Sequence, residues 1–257
     1  MQVNILAVGD VVGESGLRFL RENLNGLRKL KRVDFAVVNG ENAAGVGLTP
    51  EQADAMLLAG ADVVTLGNHT FGRRGIAAYL EEEARILRPA NYAQGNPGRG
   101  WGVYDTHFGR VCVISLQGRF EMPVGTENPF LTADAILHQA EADVVLVDFH
   151  AEATSEKQAM GYYLDGRASA VWGTHTHVQT SDGGVLPGGT GFITDAGMTG
   201  PAVSVLGIRP EQSIARFLGM PPERQETAPG PCRMECVLFT VDTETGRCSE
   251  VEALRIG

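Results

Sequence analysis

The sequence lacks the features that mark secreted, membrane-spanning or disulfide-stabilised proteins. It contains only 4 cysteines and no Cys-X-X-Cys pair, so we expect reduced, buried thiols rather than disulfides or a cysteine-based zinc site. No basic leader precedes a long apolar segment at the amino end, and no run of 18 apolar residues occurs. These absences predict a soluble cytoplasmic protein without a signal peptide or a membrane-spanning helix.

Basic residues are also scarce. The chain has 21 Lys and Arg against 31 Asp and Glu, a formal net charge of -10, and its one basic run, residues 28–32, is expected at the solvated end of a helix. Proteins that follow a nucleic-acid backbone usually carry basic patches, so strong binding to duplex nucleic acid is not expected. An acidic protein can still bind phosphate groups when metal ions supply the positive charge.

Strand-like apolar segments alternate with helix-like segments along the chain. Strands are predicted at residues 3–8, 34–39, 62–66, 110–116, 143–149 and 168–172. Leucines at positions 17, 20, 24 and 27 predict the first helix, and Thr49, Pro50, Gln52 and Gly60 have the types expected at the start and end of a second. Residues 235–256 predict a hairpin that turns at 243–246. The alternation predicts mainly parallel sheets covered by helices, in a single domain of residues 1–257.

Polar residues follow five of the predicted strands. Because the carboxyl ends of strands in an open parallel sheet lie on one edge, residues far apart in sequence are expected to converge there. Each residue alone has an ordinary explanation as a helix cap or turn former, but together they predict a metal site. The set contains four of the chain's 6 histidines and consists of Asp10, Glu41, Asn42, Asn68, His69, His150, His175 and His177.

The number of potential ligands exceeds what one ion requires. One zinc ion takes about four ligands, whereas this set is larger and includes a carboxylate that could bridge two ions about 3.5–4 Å apart. Imidazole, carboxylate and carboxamide groups suit Fe, Mn or Zn and do not choose among these metals. The sequence therefore predicts a dinuclear metal centre.

The order of these motifs resembles that of the calcineurin-like metallophosphoesterases. The similarity is closest to the YmdB-like subfamily, covers nearly the whole chain, and rests on the segments GDVVG, NGENAAGVG, GNHTF, VDFHAEATSEK, GTHTHVQT and DAGMTGP. Three residues depart from the broader superfamily in the way that this subfamily does. Val12 stands in place of a histidine, Glu41 in place of the bridging aspartate, and Thr70 in place of the acid after Gly-Asn-His.

The resemblance implies an α/β fold, a metallophosphoesterase-like β-sandwich of two mixed sheets flanked by helices (α-β-β-α). It also implies two metal ions per chain, often iron, with manganese and zinc as alternatives, and a bridging hydroxide that attacks phosphorus. The implied ligands are Asp10, Glu41, Asn42 and His177 for one ion and Glu41, Asn68, His150 and His175 for the other. His69 would then protonate the leaving oxygen of a small phosphodiester, such as the cyclic nucleotide 2′,3′-cAMP.

Two other segments carry weaker predictions. Thr154 and Ser155 begin a predicted helix and could face a phosphate, although capping by Thr154 explains the same pattern. Thr199 lies in a segment, residues 195–201, that fits either a backbone anion cradle or a plain turn. A phosphomonoesterase or nucleotidase on the same centre, a regulatory protein that acts through partner binding, and a homo-oligomer are left open.

Overall fold

The computed structural model describes residues 1–123 and 125–257. The strands are β1 (Gln2–Val8), β2 (Asp10–Val11), β3 (Phe35–Asn39), β4 (Val63–Thr65), β5 (Ile86–Leu87), β6 (Trp101–Thr106), β7 (Gly109–Gln117), β8 (Val144–His150), β9 (Ala170–Thr174), β10 (Gly184–Val185), β11 (Gly191–Ile193), β12 (Met198–Pro201), β13 (Cys232–Asp242) and β14 (Arg247–Ile256). The helices are α1 (Gly13–Lys31), α2 (Pro50–Leu58), α3 (Ile76–Glu82), α4 (Pro129–Leu137), α5 (Thr154–Tyr163) and α6 (Pro210–Phe217).

Among the described residues, the strands form an eight-stranded and a six-stranded sheet. The first has the order β2-β12-β13-β1-β3-β4-β5, with β14 paired to β13, and the second has the order β10-β11-β9-β8-β7-β6. Both sheets are mixed: β1, β3, β4 and β5 run parallel while β13 is antiparallel to β1, and β7, β8, β9 and β11 run parallel between antiparallel β6 and β10.

Three apolar clusters explain how the layers stack. One packs α1, α2 and α3 against the outer face of the first sheet, and includes Leu20 and Val38. A second lies between the two sheets and includes Val37 and Trp172. The third packs α4 and α5 against the outer face of the second sheet and includes Met160. Successive strand residues face opposite sides, so Val37 and Val38 serve different clusters. The predicted α-β-β-α sandwich is confirmed.

Local sequence signals set several of the element boundaries. Helix α2 begins after Thr49, whose side chain accepts from Gln52 N while Gln52 reaches back to the backbone of Thr49, as predicted for a capping box. The predicted hairpin is also present, with β13 and β14 joined by residues 243–246. Of the helices in the described part of the chain, none has the length and apolarity needed to cross a membrane.

The carboxyl ends of the parallel strands converge, but not at one edge of one sheet. Strands β1, β3 and β4 end in the first sheet, and β8 and β9 end in the second. The ends meet across the sandwich, where Asn39 Nδ2 at the end of β3 donates to Asp148 Oδ2 in β8 at 3.1 Å. The expectation of a single open-sheet edge is therefore wrong, because the strands divide between two stacked sheets.

Candidate metal centre

Glu41 occupies the middle of the polar residues that gather at this end of the sandwich. Its side chain is fully buried. Its Oε1 lies 3.0 Å from His150 Nε2 and 3.2 Å from Asn42 Nδ2, and its Oε2 accepts from the backbone N of His69 at 3.0 Å. One potential ligand atom from each of Glu41, His150 and His175 lies within 4.8 Å of the others, an arrangement suited to a metal ion.

The first group of donors beside Glu41 comprises Asn68, His150 and His175. Asn68 Oδ1 and His175 Nδ1 each lie 3.0 Å from His150 Nε2. On the other side of the same ring, His150 Nδ1 lies 2.9 Å from Thr174 Oγ1, which donates to Asp148 Oδ1 at 2.7 Å. Because the hydroxyl proton is used on Asp148, Thr174 accepts from Nδ1–H, so that in the neutral ring, the form that binds a metal ion, the lone pair lies on Nε2.

The second group comprises Asp10, Asn42 and His177. His177 Nε2 lies 3.2 Å from Asn42 Nδ2 and 3.6 Å from Asp10 Oδ1. The other ring nitrogen, Nδ1, is 3.1 Å from the carbonyl oxygen of Leu206, so it donates there, and in the neutral ring the Nε2 lone pair faces Asp10. Glu41 lies between the two groups, in contact with His150 of one and Asn42 of the other.

The donor set fits a cation. Asp10 is fully buried, and its Oδ1 has no hydrogen-bond partner among the described residues. A buried carboxylate oxygen without a donor is costly unless positive charge compensates it. While the neighbouring imidazoles are neutral, their lone pairs cannot supply that compensation, whereas an ion coordinated by both the carboxylate and the rings can.

The charges of the pocket agree with this interpretation. Burial alone would raise the pKa of Glu41, but His150 and His69 hold it well below its usual range. Burial likewise opposes ionisation of Asp10, and His177 and His150 nevertheless lower the pKa of its carboxyl. Both fully buried acids are therefore ionised, and in the absence of an ion the protonated imidazoles supply the positive charge that a coordinated ion would bring to neutral rings.

The backbone at the end of β9 differs from the sequence expectation. The spacing of His175 and His177 predicts a strand exit that points both imidazoles in one general direction. The strand instead ends at Thr174, and the two histidines have left-handed backbone conformations, with φ of 96° and 60°. Their rings therefore turn into different groups, His175 toward His150 and His177 toward Asp10.

His69 lies at the open side of the centre. It follows β4, and its side chain is 35% exposed, whereas that of His150 is fully buried. Its Nδ1 lies 2.9 Å from Asn42 Oδ1 and 3.4 Å from Glu41 Oε1. His69 thus contacts Glu41, the carboxylate expected to bridge the ions, and is at the same time accessible to solvent.

The three residues predicted to contact substrate have different surroundings. Thr154 and Ser155 lie exposed in the first turn of α5, and Ser155 lines a separate cavity of about 520 Å³ beside Phe120. Capping of α5 by Thr154 is wrong, because Ala153 is the N-cap and no side chain caps the helix. Thr199 is fully buried in β12, which is a strand rather than a plain turn.

Sequence reasoning missed the residues that contact the candidate ligands from the interior of the sandwich. Asp148 accepts from Thr65 Oγ1 at 2.5 Å as well as from Thr174, and so links strands of both sheets. Its one signal in the sequence is a carboxylate inside an otherwise apolar strand. Lys157 and Asp195 are also buried near the centre. The sequence gives no sign of this for Lys157, because a lysine in a helix is ordinarily expected at the surface.

Comparisons with known proteins agree with this architecture. A family model described as YmdB-like protein matches residues 6–254. The chain is 42% identical over 257 residues to a 2′,3′-cyclic-nucleotide 2′-phosphodiesterase of Bacillus subtilis, with 99% of this chain and 97% of that protein covered. A crystal structure of a hypothetical protein from Thermus thermophilus superposes with a TM-score of 0.92 at 40% identity, covering 98% of each chain. A novel phosphatase from Mycoplasma pneumoniae gives a TM-score of 0.94 at 33% identity, covering 100% of this chain and 94% of that one.

Proposed function

The chain belongs to the YmdB-like family, and from that premise we propose that it is a dimetal phosphodiesterase that hydrolyses cyclic nucleotides such as 2′,3′-cAMP. Phosphoric ester hydrolysis as the reaction class follows from its phosphodiesterase and phosphatase relatives. The observation that carries the dimetal proposal is the position of buried Glu41 between two groups of potential ligands, the second of which contains an Asp10 oxygen that has no hydrogen-bond partner among the described residues.

Each proposed ion takes ligands from both sides of the sandwich. One would be held by Asp10, Glu41, Asn42 and His177, and the other by Glu41, Asn68, His150 and His175. Mixed imidazole and oxygen donors suit iron, which we favour, and also manganese or zinc. Bound ions would supply positive charge to the phosphate oxygens and lower the pKa of a bound water towards neutrality.

Asn42 connects the ligand set to the proposed acid. As oriented, its amide NH₂ group faces His177 and its oxygen faces His69 Nδ1. A ligand role requires the amide rotated by half a turn, which presents the oxygen to the ion and the NH₂ group to His69. The Nδ1 atom of His69 then accepts a hydrogen bond, so the proton of the neutral ring lies on Nε2.

His69 would use that proton on the leaving group. When the phosphodiester bond breaks, the departing alkoxide oxygen needs a proton, and an imidazole within hydrogen-bonding reach can donate it. Partial exposure of His69 allows substrate to reach it, and its contact with Glu41 places it at the edge of the centre. Asp10, Glu41, Asn42 and His150 are buried, and the side chains of His175 and His177 are 22% and 12% exposed.

Metal analysis combined with a substrate screen tests the proposal. The purified protein would be loaded with Fe²⁺ or Mn²⁺ and assayed on 2′,3′-cyclic nucleotides, 5′-nucleotides and bis-p-nitrophenyl phosphate. We expect two ions per chain and turnover of the diesters. Turnover of 5′-nucleotides alone would favour a nucleotidase, and two bound ions without any turnover would favour a regulatory role through partner binding.

The acid role of His69 has a matched control. His69→Ala is expected to lower turnover by roughly 10²–10⁴-fold while both ions stay bound. His107→Ala removes a histidine whose side chain is 70% exposed and whose ionic neighbour is Asp34, outside the centre, so its turnover is expected to match the wild type. Full turnover of His69→Ala with metals retained would remove His69 from the mechanism.

A further inference from the structure

The loop of residues 175–177, here called the histidine loop, has a backbone that its residue types do not favour. Left-handed φ values at His175 and His177 are uncommon for residues other than glycine and persist when surrounding contacts fix them. The loop geometry decides which group of donors each imidazole joins. Contacts that hold the residue between them, Thr176, therefore control the division of the two histidines.

Asp195 binds Thr176 through both its backbone and its side chain. Its Oδ2 accepts from Thr176 N at 3.2 Å and from Thr176 Oγ1 at 2.5 Å. The same oxygen accepts from Lys157 Nζ at 2.7 Å, and Lys157 Nζ lies 3.2 Å from Thr176 Oγ1. The other carboxylate oxygen, Oδ1, accepts from Gly197 N at 2.8 Å, which fixes the carboxylate plane.

Lys157 reaches this position through a space that the fold keeps open for it. It projects from α5 with a side chain that is 1% exposed, and Asp195 is fully buried. A Cβ on Gly173, the second-last residue of β9, would lie 2.7 Å from Lys157 Cδ and 3.0 Å from Cε. The absence of a side chain at position 173 thus lets the lysine stem pass beneath the strand that leads into the histidine loop.

A buried ion pair is not in itself a reliable source of stability. Desolvation of both charges offsets much of their attraction, and apolar replacements of such pairs are often neutral or better. Here the pair converges on one hydroxyl and one backbone N–H of Thr176. Its geometry is suited to specifying one loop conformation, a role that an apolar pair cannot fill.

We infer that Lys157 and Asp195 are positioning residues, which hold the histidine loop so that His175 and His177 serve different metal ions. The inference rests on the proposed dimetal function. It also gives two sequence segments a role beyond the one expected, through Lys157 in ATSEK and Asp195 in DAGMTGP.

Thr176→Val tests the inference with the least disturbance, because it removes the hydroxyl and leaves both charges paired. The protein would be stripped with a chelator and titrated with Mn²⁺ by calorimetry. We expect affinity to fall by about 10–100-fold, the range found when groups that orient metal ligands are replaced. Asp195→Asn is expected to lose at least as much, and Thr176→Ser, which keeps the hydroxyl, is expected to retain wild-type affinity.

Thr190→Val provides the matched control. Thr190 also donates its hydroxyl to a buried acceptor, the carbonyl oxygen of Ala168 at 2.6 Å, but it precedes β11 at the opposite end of the strand from the centre. We expect Thr190→Val to melt at a lower temperature and to bind Mn²⁺ as the wild type does. Visible absorption of Co²⁺-loaded protein, which reports ligand geometry, should change in Thr176→Val and not in Thr190→Val.

Two results would overturn the inference. One is wild-type Mn²⁺ affinity and an unchanged Co²⁺ spectrum in both Thr176→Val and Asp195→Asn. The other is an equal loss of affinity in Thr176→Val and Thr190→Val, which would reflect general loosening. A wild-type protein that binds no metal would instead refute the proposed dimetal function, so the two failures are distinguished by the wild-type titration.

Discussion

Gly67→Ala is expected to damage the centre although residue 67 supplies no ligand. Gly67 lies between the end of β4 and Asn68, and its Cα faces the imidazole of His150 and the carboxylate of Glu41. A Cβ built at this position overlaps both groups. Neither side chain can move away easily, because both are fully buried and the Nδ1 atom of His150, on the other side of the ring, contacts Thr174.

The size of the effect follows from the overlap. The nearest imidazole carbon lies more than about 1 Å inside the usual carbon–carbon separation of roughly 3.5 Å. Overpacking of this kind costs about 1–3 kcal/mol, and in a chain of this size each kcal/mol lowers the melting temperature by roughly 2–4 °C. A displacement of about 1 Å also exceeds the tolerance of about 0.2 Å on metal–ligand distances. The free energy of Mn²⁺ binding should therefore fall by more than the free energy of unfolding.

The assay combines thermal melting with Mn²⁺ calorimetry, and the same substitution elsewhere is the control. A Cβ on Gly26, in α1, would have nothing within 4 Å. Gly26→Ala should therefore raise stability by roughly 0.5–1 kcal/mol through the helical preference of alanine, with Mn²⁺ affinity unchanged. Wild-type melting and Mn²⁺ affinity in Gly67→Ala would refute the reasoning.

Other predictions concern pH, thiol reactivity and a helix cap. Burial lowers the pKa of His150, but Glu41 outweighs it and raises the value from 6.5 to about 9. In chelator-treated protein, the attraction between protonated His150 and Glu41 should therefore stabilise the fold fully below about pH 6.5 and be lost as the pH rises through 9, which melting temperatures would measure. The melting temperature of Mn²⁺-loaded protein should not show this fall. Burial raises the pKa of Cys112 and Cys236 to about 12, so at pH 8 Ellman's reagent should modify them only after unfolding. Thr49→Ala should cost about 0.5–2 kcal/mol in denaturant unfolding, and Thr49→Ser much less.

Each of these three predictions would be contradicted by a specific result. A melting temperature of the chelated protein that does not fall between pH 6.5 and 9 would contradict the charge assignment of His150. Modification of Cys112 or Cys236 in the folded chain, as fast as in the unfolded one, would contradict their burial. Equal unfolding free energies for Thr49→Ala and the wild type would show that the capping box contributes nothing measurable.

The candidate donors could be predicted because each directly follows an apolar strand. Strand ends are visible in the sequence as the point where an apolar run gives way to glycine and polar residues, as in the segments that precede Glu41 and His150. The division of strands between two sheets was not visible in this pattern. Alternation of strands and helices does not determine which strands pair, and the sandwich was expected only through the family resemblance.

The support of the centre could not be predicted, because it depends on contacts between distant parts of the chain. The burial of Lys157 requires the space at Gly173 and the carboxylate of Asp195, and neither is encoded near position 157. The φ values at His175 and His177 are likewise not encoded by the residue type, since positive φ is uncommon for any residue other than glycine. Local patterns report the residue types of a site better than its geometry.

The position of β13 determines when the centre can assemble. Strand β13, near the carboxyl end, lies between β1 and β12, and the strand that carries Asp10 joins the sheet by pairing with β12. The backbone N of Gly9, next to Asp10, also donates to the carbonyl oxygen of Glu235 at 3.1 Å. Because such non-local pairing waits for the late segment to emerge, a ribosome-bound chain that ends before β13 lacks the framework that places Asp10. The proposed metal loading is therefore expected only after β13 has been synthesised.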